Sequence, residues 1–135
     1  MTKSFLDKLT YDIIGAAIEV HRELGPGLLE SVYQRILRYE FGLRNIDFKS
    51  QLEIPVIYKG WETNVGLRCD FYIKNCIVLE IKAVESILPI HKAKLLTYMK
   101  VLKAPKGILI NFNCVNIFES GQKTFVNEHF RSLPE

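Results

Sequence analysis

Cys-Ile-Val-Leu-Glu-Ile-Lys-Ala-Val, residues 76–84, is the most strand-like segment of the chain. It is apolar except for Glu80 and Lys82, and charged side chains are rarely buried without a partner. Because alternate residues of a strand project from the same face, Glu80 and Lys82 share one face, and isoleucine and leucine side chains fill the other. We interpret the charged pair as part of a functional site. The alternative is an ordinary solvated face that carries an ion pair.

Asp70 lies on the preceding predicted strand, across a turn that begins at Lys74. A two-residue turn would place Asp70 opposite Leu79, on the wrong face. A three-residue turn would place Asp70 opposite Glu80. The sequence leaves both registers open, because a shift of one residue exchanges the two faces of a strand. In the second register two carboxylates reach one hard cation, with Lys82 beside them.

Hydrophobic periodicity predicts helices and strands on both sides of this hairpin. Thr10 is predicted to cap a first helix that starts at Tyr11, and Gly25-Pro26-Gly27 ends that helix. Pro55 places its strand at a sheet edge. The remaining expected segments are helices at 28–43 and 90–102 and strands at 52–58, 61–66, 67–73, 107–112, 115–119 and 124–126.

The chain has 135 residues, a formal charge of +3 and 48% hydrophobic residues. This length and apolar content predict one domain, residues 1–135, whose core needs no disulfide or metal. No apolar run approaches the ~20 residues of a membrane-spanning helix, and the polar start lacks a secretory signal, so we expect a cytoplasmic protein. The three cysteines form no C-x-x-C pair, which favours buried reduced thiols over a structural zinc site.

The order of the charged residues resembles a known catalytic motif. Asp70, nine further residues and then Glu80-Ile81-Lys82 resemble the P-D…(D/E)-x-K site of the restriction-endonuclease-like superfamily. Gly27-Leu-Leu-Glu30-Ser-Val-Tyr33 resembles the G-x-x-E-x-x-Y signature of the GxxExxY protein family, which belongs to that superfamily. The similarity runs from about Tyr11 to Ile117 in matching order. It implies an α/β fold with a restriction-endonuclease-like core, in which a central mixed β-sheet is flanked by α-helices.

The same resemblance implies a metal-dependent nuclease that hydrolyses phosphodiester bonds in DNA. Asp70 and Glu80 would hold Mg²⁺ or Mn²⁺, together with the backbone carbonyl of Ile81. Lys82 would orient the attacking water or stabilise the transition state. Glu30 would act as an auxiliary acid and as a further metal ligand, either directly or through water.

Two positions depart from the pattern of the family. Cys69 replaces the proline that precedes the aspartate, at a position that is often variable. Lys94 replaces the glutamine expected on the helix after the lysine strand. A lysine there would contact a phosphate as a point charge, or compete with the metal for the carboxylates. Helical spacing places Lys94 on one face with His91 and Tyr98, a face that looks either onto the site or into solvent.

Two further aromatic residues are weighed as candidates. Tyr33 shares a helical face with Glu30 and would either hydrogen-bond a site carboxylate or pack in the core. We therefore include Tyr33 with His91, Lys94 and Tyr98 as candidate substrate-binding groups. Trp61 is interpreted as a core residue or an edge-strand anchor rather than as a base-stacking platform.

Basic residues on the helices at 28–43 and 90–102 would follow a phosphate backbone, although scattered lysines are more often only solvated. The chain carries no sequence-reading motif for nucleic acid. A homodimer would allow such a small nuclease to cut both strands of DNA. Two other functions stay open: a nucleic-acid-binding module with a degenerate site, and a protein-interaction component whose acidic cluster is structural.

Overall fold

The computed structural model describes residues 1–135 as a five-stranded sheet between helices. The strands, whose order in the sheet is their order in the chain, are β1 (Phe48–Tyr58), β2 (Trp61–Ile73), β3 (Ile77–Lys82), β4 (Lys106–Asn111) and β5 (Gln122–Val126). The helices are α1 (Lys3–Leu24), α2 (Glu30–Leu43), α3 (Pro89–Leu102) and α4 (Glu128–Arg131), and a π-helical turn covers Ile117–Gly121. The expected α/β class, a mixed sheet flanked by helices, is confirmed.

The centre of the sheet is the parallel pair β3 and β4, and every other pair of neighbouring strands is antiparallel. α3 connects the two parallel strands, as a crossover connection requires. Both central strands are buried along almost their whole length, because helices cover both faces of the sheet. Glu80 of β3 therefore lies in the interior of the fold, and Lys82 is half-buried at the end of the strand.

Two apolar cores lie on opposite faces of the sheet. The larger core packs α1 and α2 against Ile77, Leu79 and Ile81 of β3. The smaller core packs Leu95, Tyr98 and Met99 of α3 against the other face. The alternation along β3 therefore directs Glu80 to the side covered by α3, away from the larger core.

Two predicted elements are wrong. The first helix begins at Lys3, where the Thr2 hydroxyl accepts a hydrogen bond from the Phe5 N–H. Thr10 lies inside this helix, and its hydroxyl donates to the Leu6 carbonyl over 2.7 Å instead of capping. The strand expected at 115–119 is absent, because Val115 is 95% exposed and the following residues form the π-helical turn.

The β1–β2 hairpin extends beyond the rest of the sheet. β3 pairs with only the last three residues of β2, whereas β1 pairs with β2 as far as Tyr58 opposite Trp61. We call residues 52–69 of this extension the hairpin arm. Trp61 lies at the tip of the arm and is 65% exposed, so its interpretation as a core residue is wrong.

None of the helices is both long and apolar enough to cross a membrane.

Candidate active site

The turn between β2 and β3 adopts one of the two registers that the sequence left open. Ile73 pairs with Ile77, so the turn contains three residues, 74–76. Two of these residues have positive φ, which tightens the reversal of the chain. The register brings Asp70 and Glu80 opposite each other, just beyond the last regular pair of the two strands.

Beyond the last regular pair, hydrogen bonds to the carboxylates of Asp70 and Glu80 replace the backbone-to-backbone hydrogen bonds between β2 and β3. The N–H of Asp70 donates to Glu80 Oε1 over 2.9 Å, and the N–H of Ile81 donates to Asp70 Oδ2 over 2.8 Å. Each strand thus provides a backbone donor to the carboxylate of the other strand. Both carboxylates are fixed by rigid elements, which is the placement that a precise site requires.

Burial and mutual repulsion disfavour the charge on this pair. Glu80 is only 6% exposed, and burial followed by the negative charge of Asp70 raises its pKa to about 8. Burial also raises the pKa of Asp70, although the Ile81 N–H and the positive charge of Lys82 act in the opposite direction. Glu80 is buried and Asp70 is half-buried, and a cation bound between two carboxylates held this close would relieve their repulsion.

α3 and the residue before Asp70 close the site from the side. Tyr98 is buried, and its burial, followed by the negative charge of Glu80, raises the pKa of its phenol to about 12. Cys69 is fully buried, and its thiol donates to the Phe71 carbonyl. Burial and the charge of Glu80 raise the pKa of this thiol, so Cys69 remains protonated and unreactive at neutral pH.

Three basic side chains, Lys82, His91 and Lys94, come from the end of β3 and the first turns of α3. Lys82 is half-buried at the end of β3 and forms no salt bridge. Partial burial, then the positive charges of Lys82 and Lys94, lower the pKa of His91. His91 Nδ1 also accepts a hydrogen bond from the Leu88 N–H at the start of α3.

Glu30 is the first residue of α2 and is exposed to solvent. Desolvation at this helix start raises its pKa, Lys82 lowers it, and Asp70 raises it. Glu30 therefore interacts electrostatically with both Lys82 and Asp70. Because Glu30 is exposed, whereas Glu80 is buried, its position suits contact with a bound metal through water rather than directly.

Tyr33 fixes the loop that leads into α2. Its ring is fully buried and stacks on Phe112, with 4.4 Å between the ring centroids. Its hydroxyl donates to the Gly25 carbonyl and accepts from the Leu28 N–H over 3.2 Å. The structure thus gives Tyr33 the packed position, from which it holds the start of α2 and with it Glu30.

Asn111 is a positioning residue that the sequence analysis did not identify as part of the site. It ends β4, opposite Lys82, and it is buried. Its amide donates to the Val84 carbonyl over 2.9 Å and accepts from the Val84 N–H over 3.1 Å. These bonds fix the chain just after Lys82. The sequence signal that could have identified Asn111 is its place as a polar residue directly after the apolar segment 107–110.

The carboxylate pair fits a hard divalent cation. Backbone bonds use Asp70 Oδ2 and Glu80 Oε1, which leaves one oxygen of each carboxylate for a ligand. No group of three or more histidine, cysteine or acidic side chains gathers at one point. Mg²⁺ commonly binds through one or two carboxylates and takes its other ligands from water and substrate phosphate, so two carboxylates suffice.

Similarity to known proteins extends over most of the chain. A family model described as the PD-(D/E)XK nuclease superfamily matches residues 7–124. The solved structure described as "Crystal structure of SSO0001" resembles this fold, with a TM-score of 0.57 and 24% sequence identity. That match covers 76% of this chain and 55% of the other, so this chain spans little more than half of that protein's length. No curated protein matches the sequence. Because the family model covers most of the residues, including Asp70, Glu80 and Lys82, the chain belongs to the PD-(D/E)XK nuclease superfamily.

Proposed function

We propose that this protein is a metal-dependent nuclease that hydrolyses phosphodiester bonds in DNA. The observation that carries the proposal is a pair of backbone hydrogen bonds, from the Asp70 N–H to Glu80 and from the Ile81 N–H to Asp70, which holds the two carboxylates side by side. Lys82 follows on the same face of β3. Membership of the nuclease superfamily supports phosphodiester hydrolysis as the reaction.

Asp70 and Glu80 are the proposed ligands of Mg²⁺ or Mn²⁺, and Glu30 is the proposed auxiliary acid, acting through water. When bound, the ion supplies a more acidic water and stabilises negative charge on the phosphate. Burial supports this assignment, because the pair is electrostatically costly without a cation. The chain contributes two fixed oxygens, so substrate phosphate oxygens complete the set of ligands.

Lys82 is the proposed catalytic amine. It forms no salt bridge within the protein, so its charge is available to a substrate. A lysine in this position orients the attacking water and stabilises the negative charge that develops on the phosphate oxygens. The hydrogen bonds of Asn111 to Val84 hold the strand end from which Lys82 projects.

The remaining candidate residues are proposed to bind substrate. Lys94 is exposed on α3 and contacts a phosphate as a point charge. His91 Nε2 is free to donate to a phosphate, because Nδ1 accepts from the backbone. Tyr98 lies beside Glu80 as a neutral phenol. Tyr33 acts on the substrate only through the loop that it holds, and so it is a positioning residue.

The chain is further proposed to belong to the GxxExxY branch of the superfamily. Each named residue of the G-x-x-E-x-x-Y segment has a structural role, which supports this proposal. Gly27 has a φ of 100°, Glu30 starts α2, and the Tyr33 hydroxyl accepts from the Leu28 N–H in the loop between them. We also propose a cytoplasmic protein of one domain that acts on DNA as a homodimer, because one small domain carries one site.

A calorimetric titration of metal-free protein with Mn²⁺ tests the proposal. Wild type should bind Mn²⁺ saturably, and Asp70→Asn should abolish binding. Asp47→Asn is the control, because Asp47 is an exposed carboxylate outside the site. Oligonucleotide cleavage in Mg²⁺ or Mn²⁺ should follow the same order. Equal binding and equal cleavage by wild type and Asp70→Asn would overturn the proposal.

A further inference from the structure

The tip of the hairpin arm presents two large aromatic rings to solvent. Tyr58 and Trp61 are directly paired across the strands and are 61% and 65% exposed. Neither ring packs against another aromatic ring of the protein. The arm therefore keeps these rings away from both cores, although each would gain free energy from burial.

The two faces of the hairpin arm differ in chemistry. The register shift between Pro55 and Ile57 places the extra residues in β2, so alternation along β1 still puts Ile54, Val56 and Tyr58 on one face. Ile54 packs in the core that contains Tyr98. The aromatic face is thus continuous with the face that carries the candidate active site. Glu53, Ile57 and Glu62 lie on the opposite face, where Ile57 pairs with Glu62. Carboxylates are confined to the side that faces away from the site.

A positive charge accompanies the exposed rings. The ammonium group of Lys59 lies 5.4 Å from the centroid of the Tyr58 ring, within the two-residue turn at the tip. Nucleic acid offers aromatic bases next to negative phosphates. Proteins bind single strands by combining aromatic rings, on which bases stack, with basic groups that contact the backbone. A protein surface would match the rings but would not require the lysine.

We propose that Tyr58, Lys59 and Trp61 form a base-stacking tip that recognises unpaired bases, which makes nucleic acid with a single-stranded segment the preferred substrate class. This inference rests on the proposed function, because it assigns a role to the arm on the same substrate. Eight residues of β2 separate Trp61 from Asp70, a span of at most about 30 Å at the usual rise of a strand. The unpaired segment is therefore expected within about nine base pairs of the cleaved phosphate.

Trp61 is the only tryptophan of the chain, so its fluorescence reports on the tip alone. The full chain is titrated in EDTA, so that no cleavage occurs, with a single strand, a blunt duplex and a duplex with a single-stranded tail. Stacking on a base should quench Trp61 with the single strand and the tailed duplex. The blunt duplex should leave the fluorescence nearly unchanged.

Anisotropy of labelled oligonucleotides measures affinity in the variants. Trp61→Ala should weaken binding of the tailed duplex about tenfold, the usual loss for one stacked base. Trp61→Phe should retain most of the affinity. Ile57→Ala is the matched control, because Ile57 is equally exposed on the opposite face of the same arm. It should bind like wild type.

The outcomes separate this inference from the proposed function. The wild type could bind and cleave DNA with unchanged Trp61 fluorescence, and Trp61→Ala could bind with full affinity. This result would overturn the base-stacking role of the tip but not the proposed nuclease function. Absence of binding to any oligonucleotide would overturn both. Self-association of wild type that is lost in Trp61→Ala, without quenching by DNA, would assign the tip to a second copy of the chain and also overturn the inference.

Discussion

The N–H of Asp70 donates to Oε1 of Glu80 over 2.9 Å, so the strand that carries one carboxylate fixes the other. Neither side chain can turn away to relieve the repulsion without losing a backbone hydrogen bond. An unsatisfied buried donor costs about 1–3 kcal/mol. In the metal-free protein the pair therefore relieves its repulsion by taking up a proton.

The stability of the metal-free protein should fall as the pH rises from about 5 to 8.5. The pKa of Glu80 is raised from 4.5 to about 8, so the folded state binds more protons than the unfolded state in this interval. The contribution is present below pH 4.5 and is lost as the pH rises through 8. Glu80→Gln should remove most of this slope and raise stability near pH 8.5 by roughly 2–4 kcal/mol.

Thermal unfolding in EDTA at a series of pH values measures this effect. Glu85→Gln is the control, because Glu85 is an exposed carboxylate just beyond the same strand. It should melt like wild type at each pH. A wild-type melting temperature that is constant or rises over this interval would contradict the prediction.

Lys82→Ala should abolish cleavage but retain metal binding. The amine is proposed to act on the water and the phosphate, so its removal should lower the rate by roughly a hundredfold or more. The affinity for Mn²⁺ should change only a few-fold, because both carboxylates remain. Single-turnover cleavage and calorimetry measure the two effects. Lys100→Ala, an exposed lysine of α3, should leave both unchanged; loss of metal binding in Lys82→Ala would instead assign the amine a structural role.

Tyr33→Phe should loosen the start of α2. The change removes a hydroxyl that bridges Gly25 and Leu28 but keeps the stacking on Phe112. The expected loss in the free energy of unfolding is about 1–2 kcal/mol, measured by urea denaturation. Tyr39→Phe is the control, because Tyr39 is exposed on the same helix. Equal stability of the two variants would show that the hydroxyl bonds do not hold the loop.

Gly107→Ala should disturb the packing of α3 on the sheet. A Cβ atom at this position would lie 2.5 Å from Met99 Sδ and 3.1 Å from Leu95 Cδ1. We expect a loss of about 1–3 kcal/mol in stability, together with a shift of the helix that carries Tyr98. Gly42→Ala meets no atom within 4 Å and lies in a helix, so it should stabilise the protein by about 0.5–1 kcal/mol. Thermal unfolding of the pair distinguishes crowding from a general effect of alanine.

The sequence was sufficient for the central elements because their signals are long or strongly patterned. Residues 76–84 are apolar except for two charged residues at alternate positions, and the structure places β3 at 77–82. The predicted start of α1 was wrong because the sequence alone does not distinguish a threonine inside a helix from a threonine that caps one. Only the hydrogen bond from Thr10 to Leu6 distinguishes the two. The short segment 115–119 contains too few residues to separate a strand from a turn.

The candidate site depends on a register that composition does not determine. Glu80 and Lys82 were placed on one face by alternation alone, and the division of β3 between the two cores agrees with that placement, because Ile77, Leu79 and Ile81 all pack in the larger core. Whether Asp70 joined them depended on the turn, and only the pairing of Ile73 with Ile77 decides this. Asn111 was missed because its role lies in bonds to Val84, which is 27 residues away in sequence.

The three-residue turn at 74–76 has a consequence for how this protein tolerates insertions and deletions. A substitution that tolerates the positive φ of Lys74 and Asn75, or the burial of Cys76, would leave the strand pairing intact. A deletion of one residue would slide β2 by one position along β3 and turn every side chain of β2 through to the opposite face. Asp70 would then point into the core under α1 and α2, although the chain would still contain every residue of its motif.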